Sequence, residues 1–512
     1  MPSTANRVIK NTGYLYAKMG ITMFVSLYTT RLILEGLGKE DFGIFHLVGG
    51  AIAMLGFLNA AMANATQRFM SYAEGEGNKE KQKGIFNVSL LLHFVIACVV
   101  GVMLLAAGFF FFDGLLNIPD GRLAAAKVVY GSLIVSTMFT IMSVPYDAML
   151  NAHENMRYYA LVGILESLLK LAVAFLCFLY GGDKLVLYGI LMACIPLITL
   201  TIMRVYCHRH YEECVVAPRR YASRTLFREM TTFAGWNFLA SVSSMITQYG
   251  LGIVINHFFG VVLNAAQGIA NQVSGMLMQF SQNLMKAVNP ILVKSAGAQD
   301  RARTIYVTLF GCRISTWIML VFEIPMILMA PAVLRLWLKN VPEWAVVFTQ
   351  LQLVRSIVEQ LFSSVYTLVY AEGHIKNYVI VKSVLNVLPL LVVPCLFMLG
   401  WSPVWLYIVW IVCWGLCGGV TNLYFAHIRT QFPIPEYLRH VIAPCAAVTL
   451  MGVLPYFCVK TFSDCEMAAW CLSLSSPFII CLTGWLVVLT HDERFKVLSC
   501  VKNMLQKQNL KK

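Results

Sequence analysis

Runs of roughly 20 apolar residues recur along the whole sequence, and that length carries an α-helix across about 30 Å of hydrocarbon. Inside a bilayer the backbone must satisfy its own hydrogen bonds, so such runs fold as membrane-spanning helices. Of the 512 residues, 59% are hydrophobic and 12% charged, with a mean hydropathy of +0.70. Soluble domains carry about 25% charged residues. The apolar surplus has to face lipid. This pattern predicts an all-α polytopic membrane protein and excludes a globular enzyme, a secreted β protein and a nucleic-acid binder.

Fourteen spans divide the sequence: 13–35, 43–66, 85–112, 124–148, 159–180, 185–203, 231–256, 261–290, 304–330, 346–370, 378–398, 404–426, 441–458 and 468–490. Charge tests the division, because short cytoplasmic loops accumulate Lys and Arg. Segments on the side of the N-terminus hold 25 basic residues, and the opposite loops hold 6. That bias accounts for the net charge of +14 and places both termini in the cytoplasm. The first apolar stretch follows Arg7 and Lys10 with no small-residue cleavage site, so it reads as the first span. The 15 cysteines lie mostly within apolar runs and read as small buried hydrophobes, not as a disulfide or metal framework.

The longest polar connector, 204–230, separates the first twelve spans into six and six. The second six echo the first. Gly13 matches Gly235 and Gly38 matches Gly260, both at an offset of 222, as do Ala65 and Ala287, and Gly75 and Gly297. AHENMRYY (152–159) and AEGHIKNY (371–378) share Ala, a basic residue and Tyr in step. The expected organisation is an N-terminal six-helix lobe (1–210), a basic cytoplasmic linker (211–230) and a C-terminal six-helix lobe (231–430). Two additional helices (431–490) and a basic cytoplasmic tail (491–512) follow. Parallel repeats of this kind enclose a cavity and support alternating access.

Charges inside spans are costly, so they face the protein interior, pair or reach toward head groups. Lys18 and Arg31 lie in span 1. Glu166 and Lys170 stand one turn apart in span 5, as do Arg355 and Glu359 in span 10. Arg313 and Glu323 lie in span 9. Lys127, Lys286 and Lys382 sit near span ends and read as snorkelling. Basic residues outnumber acids in the spans, so the expected ligand of the cavity is an anion, lined by Lys18, Arg31, Lys170, Arg313 and Arg355. In span 8, Asn264, Gln267 and Asn271 share one helical face among Ala and Gly. That face suits sugar hydroxyls, or close helix packing with amides as interhelical glue. Glu166, Glu323 and Glu359 are candidates for coupling or gating, or simple charge partners.

The sequence has no GxxxxGK[ST] phosphate loop, no HExxH and no GxSxG. The loops opposite the termini are short, the longest near 113–123, 331–345 and 459–467. Transport is expected over chemistry, with no cofactor and no metal.

Several segments resemble the Wzx-type polysaccharide flippases, a family within the superfamily that also holds the multidrug and toxin extrusion (MATE) transporters. They are YTTRLILEGLGKEDFGIFHLVGG (28–50), FLNAAMANATQRFMSYAEGEGN (57–78), VPYDAMLNAHENMRYYA (144–160) and LNAAQGIANQVSG (263–275). NPILVKSAGAQD (289–300), LWLKNVPEW (336–344) and AEGHIKNY (371–378) complete the set. The resemblance covers about residues 5–430. It implies a MATE-like fold, two pseudo-symmetric six-helix lobes forming a V, followed by two C-terminal helices.

By the same resemblance, the cargo is a polyprenyl-diphosphate-linked oligosaccharide moved from the inner to the outer leaflet of the bacterial cytoplasmic membrane, for lipopolysaccharide or another surface polysaccharide. Its implied partners are this lipid-linked anionic glycan, membrane lipids, a polysaccharide polymerase and glycosyltransferases, with no nucleic acid. Arg68, in ATQRF, matches a recurring basic residue of the family and reads as a gate or loop-pairing group. The alternative is a MATE-type cation-coupled multidrug efflux transporter. Such exporters keep carboxylates in the first or seventh span. Here span 1 has Glu35 at its edge and span 7 has none.

Overall fold

Every regular element among the described residues is helical, as the apolar runs require. The computed structural model describes residues 4–53, 56–112, 118–338, 340–462, 466–495 and 497–499. Lys339, residues 113–117 of the 113–123 loop, part of the 459–467 loop and the tail beyond 499 lie outside the described residues.

The helices are α1 (Thr4–Ala53), α2 (Gly56–Glu76), α3 (Lys79–Phe110), α4 (Leu123–Ala152), α5 (Met156–Leu179) and α6 (Lys184–His210). A short α7 (Pro218–Tyr221) precedes α8 (Arg224–Gly297) and α9 (Arg301–Trp337). Then come α10 (Ala345–Leu361), α11 (Ser363–Ala371), α12 (Lys376–Met398) and α13 (Val404–Trp410), which runs through a π-helical turn into α14 (Gly418–Thr430). The chain continues through α15 (Ile434–Tyr437), α16 (Ala443–Phe462), α17 (Glu466–Val487) and α18 (His491–Ser499).

The chain forms two compact units, Asn11–Phe238 and Met1–Lys10 with Leu239–Lys512. In the first, α4 packs against α2, α3 and α6. Val129, Tyr130 and Ile134 of α4 join Ile44, Val48 and Leu104 in its core. Tyr130 donates to the Leu104 carbonyl at 2.6 Å. Gly189 lets α6 approach closely, since a Cβ there would stand 3.2 Å from the Cα of Val129; small residues serve this purpose between membrane helices. At one end of this unit Arg122 bridges Asp41 and Asp183. In the second unit α9 packs against α10, α16 and α17, and Trp317 Nε1 donates to the Ile480 carbonyl at 3.0 Å.

The internal echo seen in sequence recurs in the backbone. α1 breaks at Gly38 (φ 80°, ψ 169°) and α8 at Gly260 (φ 81°, ψ −176°), a conformation essentially reserved for glycine. Positive φ recurs at Gly77 and Gln299, also 222 apart, and at Glu154 and Gly373. The caps repeat too. Asn78 accepts from the Lys81 N–H at 2.9 Å, and Asp300 from the Arg303 N–H at 3.1 Å, each as an N-cap. The turns at 149–156 and 368–375 share backbone bonds: the His153 N–H donates to the Met149 carbonyl and that of Glu372 to Leu368, while Met156 donates to Glu154 and Ile375 to Gly373.

Fewer than the expected fourteen spans stand out as single apolar helices. Among the described residues nine helices are long and apolar enough to cross a membrane, or ten if Leu472–Val487 and His491–Ser499 are taken as one bent span. Three physical reasons account for the shortfall. α8 counts once, although its 74 residues would extend about 110 Å if straight and instead break at Gly260. α1 carries charges from Arg7 to Asp41, and α2 includes Arg68, Glu74 and Glu76. α10 has only 17 residues before the chain turns at Phe362.

Candidate functional site

Polar side chains inside the Asn11–Phe238 unit converge on a cavity of about 160 Å³ lined by Lys18, Thr140, Ser143, Asp147, Tyr159, Glu166 and Thr199. Its elements are α1, α4, α5 and α6. Lys18 is placed by two neighbours. Its ammonium lies 4.2 Å from the Tyr159 ring centroid, and its stem runs over Gly163, where any Cβ would collide with it. A cation over an aromatic face is favoured electrostatically and remains available to a second, anionic partner. The wall also holds carboxylates. Glu166 accepts from Lys170 Nζ at 2.7 Å, with both side chains partly exposed.

The other predicted cationic residues lie elsewhere. Arg31 pairs with Glu35 at 3.0 Å, largely exposed. Arg68 stands among aromatic rings, with its guanidinium carbon 4.8 Å from the Tyr72 centroid and 5.4 Å from that of Phe233.

In the other unit, Arg313 is 6% exposed, and its Nη2 donates to both oxygens of Glu493, at 2.7 and 2.8 Å. Arg355 belongs to a separate buried network. It donates to Glu359 at 2.5 Å and to Gln352 at 3.2 Å, under the ring of Trp410 at 4.3 Å. The neighbouring Glu323 is fully buried and accepts from Ser356 at 2.8 Å; among the described residues its Oε2 has no hydrogen-bond partner.

On α8, an added Cβ at Gly252 would lie 3.5 Å from both Asn264 Oδ1 and Gln267 Oε1, so these two amides face the preceding segment of the same helix. Gln267 is buried and Asn271 half-buried. The structure thus gathers Lys18, Glu166 and Lys170 in one unit, and Glu323, Arg355 and Glu359 in the other.

Sequence reasoning missed Asp147, Tyr159, Trp410 and Glu493. Tyr159 stood in the repeated AHENMRYY segment. Glu493 was marked by the Thr490-x-x-Glu493 spacing, the signature of a helix capping box.

Another group was not anticipated. Glu74, His153 and Glu213 bring ligand-type atoms within 4.8 Å of one another. The His153 ring lies between the two carboxylates, 3.6 Å from Glu74 and 3.8 Å from Glu213, and stacks on Tyr211 at 4.1 Å. The three residue types could hold a divalent cation, but the Lys79 ammonium already lies 2.9 Å from Glu213 and supplies positive charge there. Asn87 completes this docking of the linker. It donates to the Val215 carbonyl at 2.7 Å and accepts from the Ala217 N–H at 2.8 Å.

A family model described as polysaccharide biosynthesis protein matches residues 8–296. The uncharacterized membrane protein EpsK of Bacillus subtilis (strain 168) is 29% identical over 121 residues, 24% of this chain and 23% of that protein. The chain therefore matches about a quarter of that relative's length. Among solved structures, MATE in complex with MaD3S aligns over 84% of this chain and 96% of its own, at 14% identity and a TM-score of 0.70. A MOP superfamily transporter from Pyrococcus furiosus, with a binding pocket of reverse polarity, aligns over 84% and 98% at 16% identity and 0.67. An outward-facing multidrug resistance MATE transporter of the same superfamily aligns over 85% and 96% at 15% identity and 0.65. At these identities the likeness concerns the fold, which is all-α, polytopic and MATE-like.

Proposed function

The chain belongs to the polysaccharide biosynthesis protein family, and from that membership we propose that this MOP superfamily membrane transporter is a flippase for polyprenyl-diphosphate-linked oligosaccharides. Lys18 is the observation that carries the reading. Its ammonium is presented in a polar cavity beside Tyr159 and the hydroxyls of Thr140, Ser143 and Thr199. The cavity is smaller than the ~300–1,000 Å³ of typical drug-sized pockets. It suits a phosphate-sized group, with the sugars outside it and the polyprenyl chain in lipid. The ammonium matches phosphate oxygens, and the aromatic face holds it in place without neutralising it, while the three hydroxyls donate to carbonyls of their own helices.

The basic-residue bias supports cytoplasmic termini and a cytoplasmic membrane location, with cargo moving outward. A membrane potential negative inside favours outward movement of an anion by roughly 2.3 kcal/mol per charge per 100 mV. No bond is made or broken in this cycle. Glycosyltransferases would supply the cargo, and a polymerase would consume it.

A second reading, cation-coupled multidrug efflux, is favoured by a specific observation: Asp147 and Glu166 line the same cavity as Lys18. Carboxylates can exchange protons or metal cations against a cationic drug. The multidrug transporters among the similar solved structures add weight to this reading. One experiment separates the two. Cells lacking the gene accumulate complete lipid-linked repeat units on the inner leaflet if the protein is a flippase. Intact surface polysaccharide with retained fluorescent dyes and raised drug sensitivity would establish efflux instead.

A further inference from the structure

α18 follows the last apolar helix but does not continue it. The Leu472–Val487 segment of α17 and α18 differ in direction by 115°. Asp492, Glu493 and Arg494 follow one another in α18, too many charges for a hydrocarbon-embedded segment. The corner is built from specific bonds. Thr490 donates its N–H to Glu493 Oε2 at 2.8 Å, and the Glu493 N–H reaches Thr490 Oγ1 at 3.4 Å, a reciprocal capping box. Arg494 turns back to the carbonyls of Leu486 at 2.5 Å and Leu489 at 3.1 Å, satisfying groups that the end of α17 leaves open.

The two faces of α18 differ. Glu493, 3% exposed, points inward to Arg313 and accepts a further bond from the Tyr306 hydroxyl at 3.0 Å. On the opposite side Phe495 and Leu498, three residues apart, are 69% and 58% exposed. From Lys496 to Lys512 the sequence holds five lysines and no acid. Large exposed apolar residues beside a purely basic stretch match one surface in particular. An anionic leaflet offers an apolar boundary beneath negative head groups.

We infer that α18 is an interfacial helix that seats Phe495 and Leu498 in an anionic lipid leaflet, while Glu493 on its other face holds Arg313 of α9. The occupant of the exposed face is phospholipid with an acidic head group. The lipid surface thereby stabilises the α17–α18 corner, and with it a buried charge in α9. This assignment uses the membrane-spanning character of the chain and is independent of the cargo.

Hydrogen exchange across 491–499 tests it, using the full chain in nanodiscs of phosphatidylcholine alone or mixed with phosphatidylglycerol. Exchange should slow in the anionic discs by about fivefold for each basic residue drawn to the surface, the equivalent of ~1 kcal/mol each, and the difference should shrink in high salt. A Phe495→Glu/Leu498→Glu variant should lose the lipid dependence across 491–499 and, with it, any lipid dependence of the protection around Arg313 in α9. Glu493→Gln should weaken protection in both lipids yet keep the ratio between them. Equal exchange in neutral and anionic discs would overturn the proposal. So would protection that rises only when two copies share a disc, since a second chain would then cover Phe495.

Discussion

Lys18 places its ammonium 4.2 Å from the centroid of the Tyr159 ring, while its stem fills the space that a side chain at Gly163 would need. Position 163 therefore controls where the charge sits without contributing a polar atom. Lys18→Ala removes the charge and Gly163→Leu displaces it. Both should reduce glycan export about tenfold or more, the scale of a lost charge-assisted hydrogen bond, while the protein remains in the membrane. Lipid-linked intermediates assayed by leaflet would show it. Normal export by both folded variants would remove Lys18 from the cargo's path.

Arg313 and Glu493 form a buried ion pair, and taking away one partner leaves a charge without compensation. Arg313→Met should cost about 3–5 kcal/mol of stability, read as a lower melting temperature in detergent. Adding Glu493→Gln should restore part of the loss, because the two effects share one interaction. Additive losses would show that each residue acts through other neighbours.

The repeated corners predict matched penalties. Asn78→Ala and Asp300→Ala should each cost ~1 kcal/mol through the lost cap. Gly38→Ala and Gly260→Ala should cost about 1–3 kcal/mol each, since alanine adopts their backbone conformation only with strain. Thermal unfolding of the four variants gives the comparison. A large loss at one member of a pair with none at the other would break the equivalence of the two halves.

The linker predicts a chemical readout. The hydrogen bond with Cys207, together with burial, pushes the Cys214 thiol up. Burial also pushes the Tyr211 hydroxyl up. Thiolate is the reactive form, so alkylation of Cys214 should be slow at neutral pH and stay slow as pH rises toward ordinary thiol values. Glu213→Gln weakens the contacts to Lys79 and His153 and should speed alkylation, followed by peptide mass spectrometry. Equal rates would show that the linker stays docked without Glu213.

Apolar run lengths and charge bias made the helical, membrane-spanning class legible, because both follow from solvation and need no tertiary information. The 222-residue echo was legible for a related reason. Gly38 and Gly260 are glycines since their φ values admit little else, so the backbone wrote itself into the sequence. The span count was less legible, because α1 and α2 carry charges that a hydropathy window penalises. Charge pairing was least legible. Lys170 and Arg355 had partners one helical turn away, visible in the sequence. Arg313 meets Glu493 across 180 positions, and no local pattern announces such a contact. Tyr159 escaped notice because an aromatic residue in an apolar run looks like packing until a cation is found above it.

The matched corners at 74–82 and 296–304 have an evolutionary consequence. Geometry at the bends is set by a few caps and left-handed residues, so a duplicated gene can keep its hinges while the interior of each copy is rewritten. One half here holds lysine over tyrosine, and the other arginine under tryptophan. A new cargo could be acquired by altering one interior alone, with the bends inherited intact.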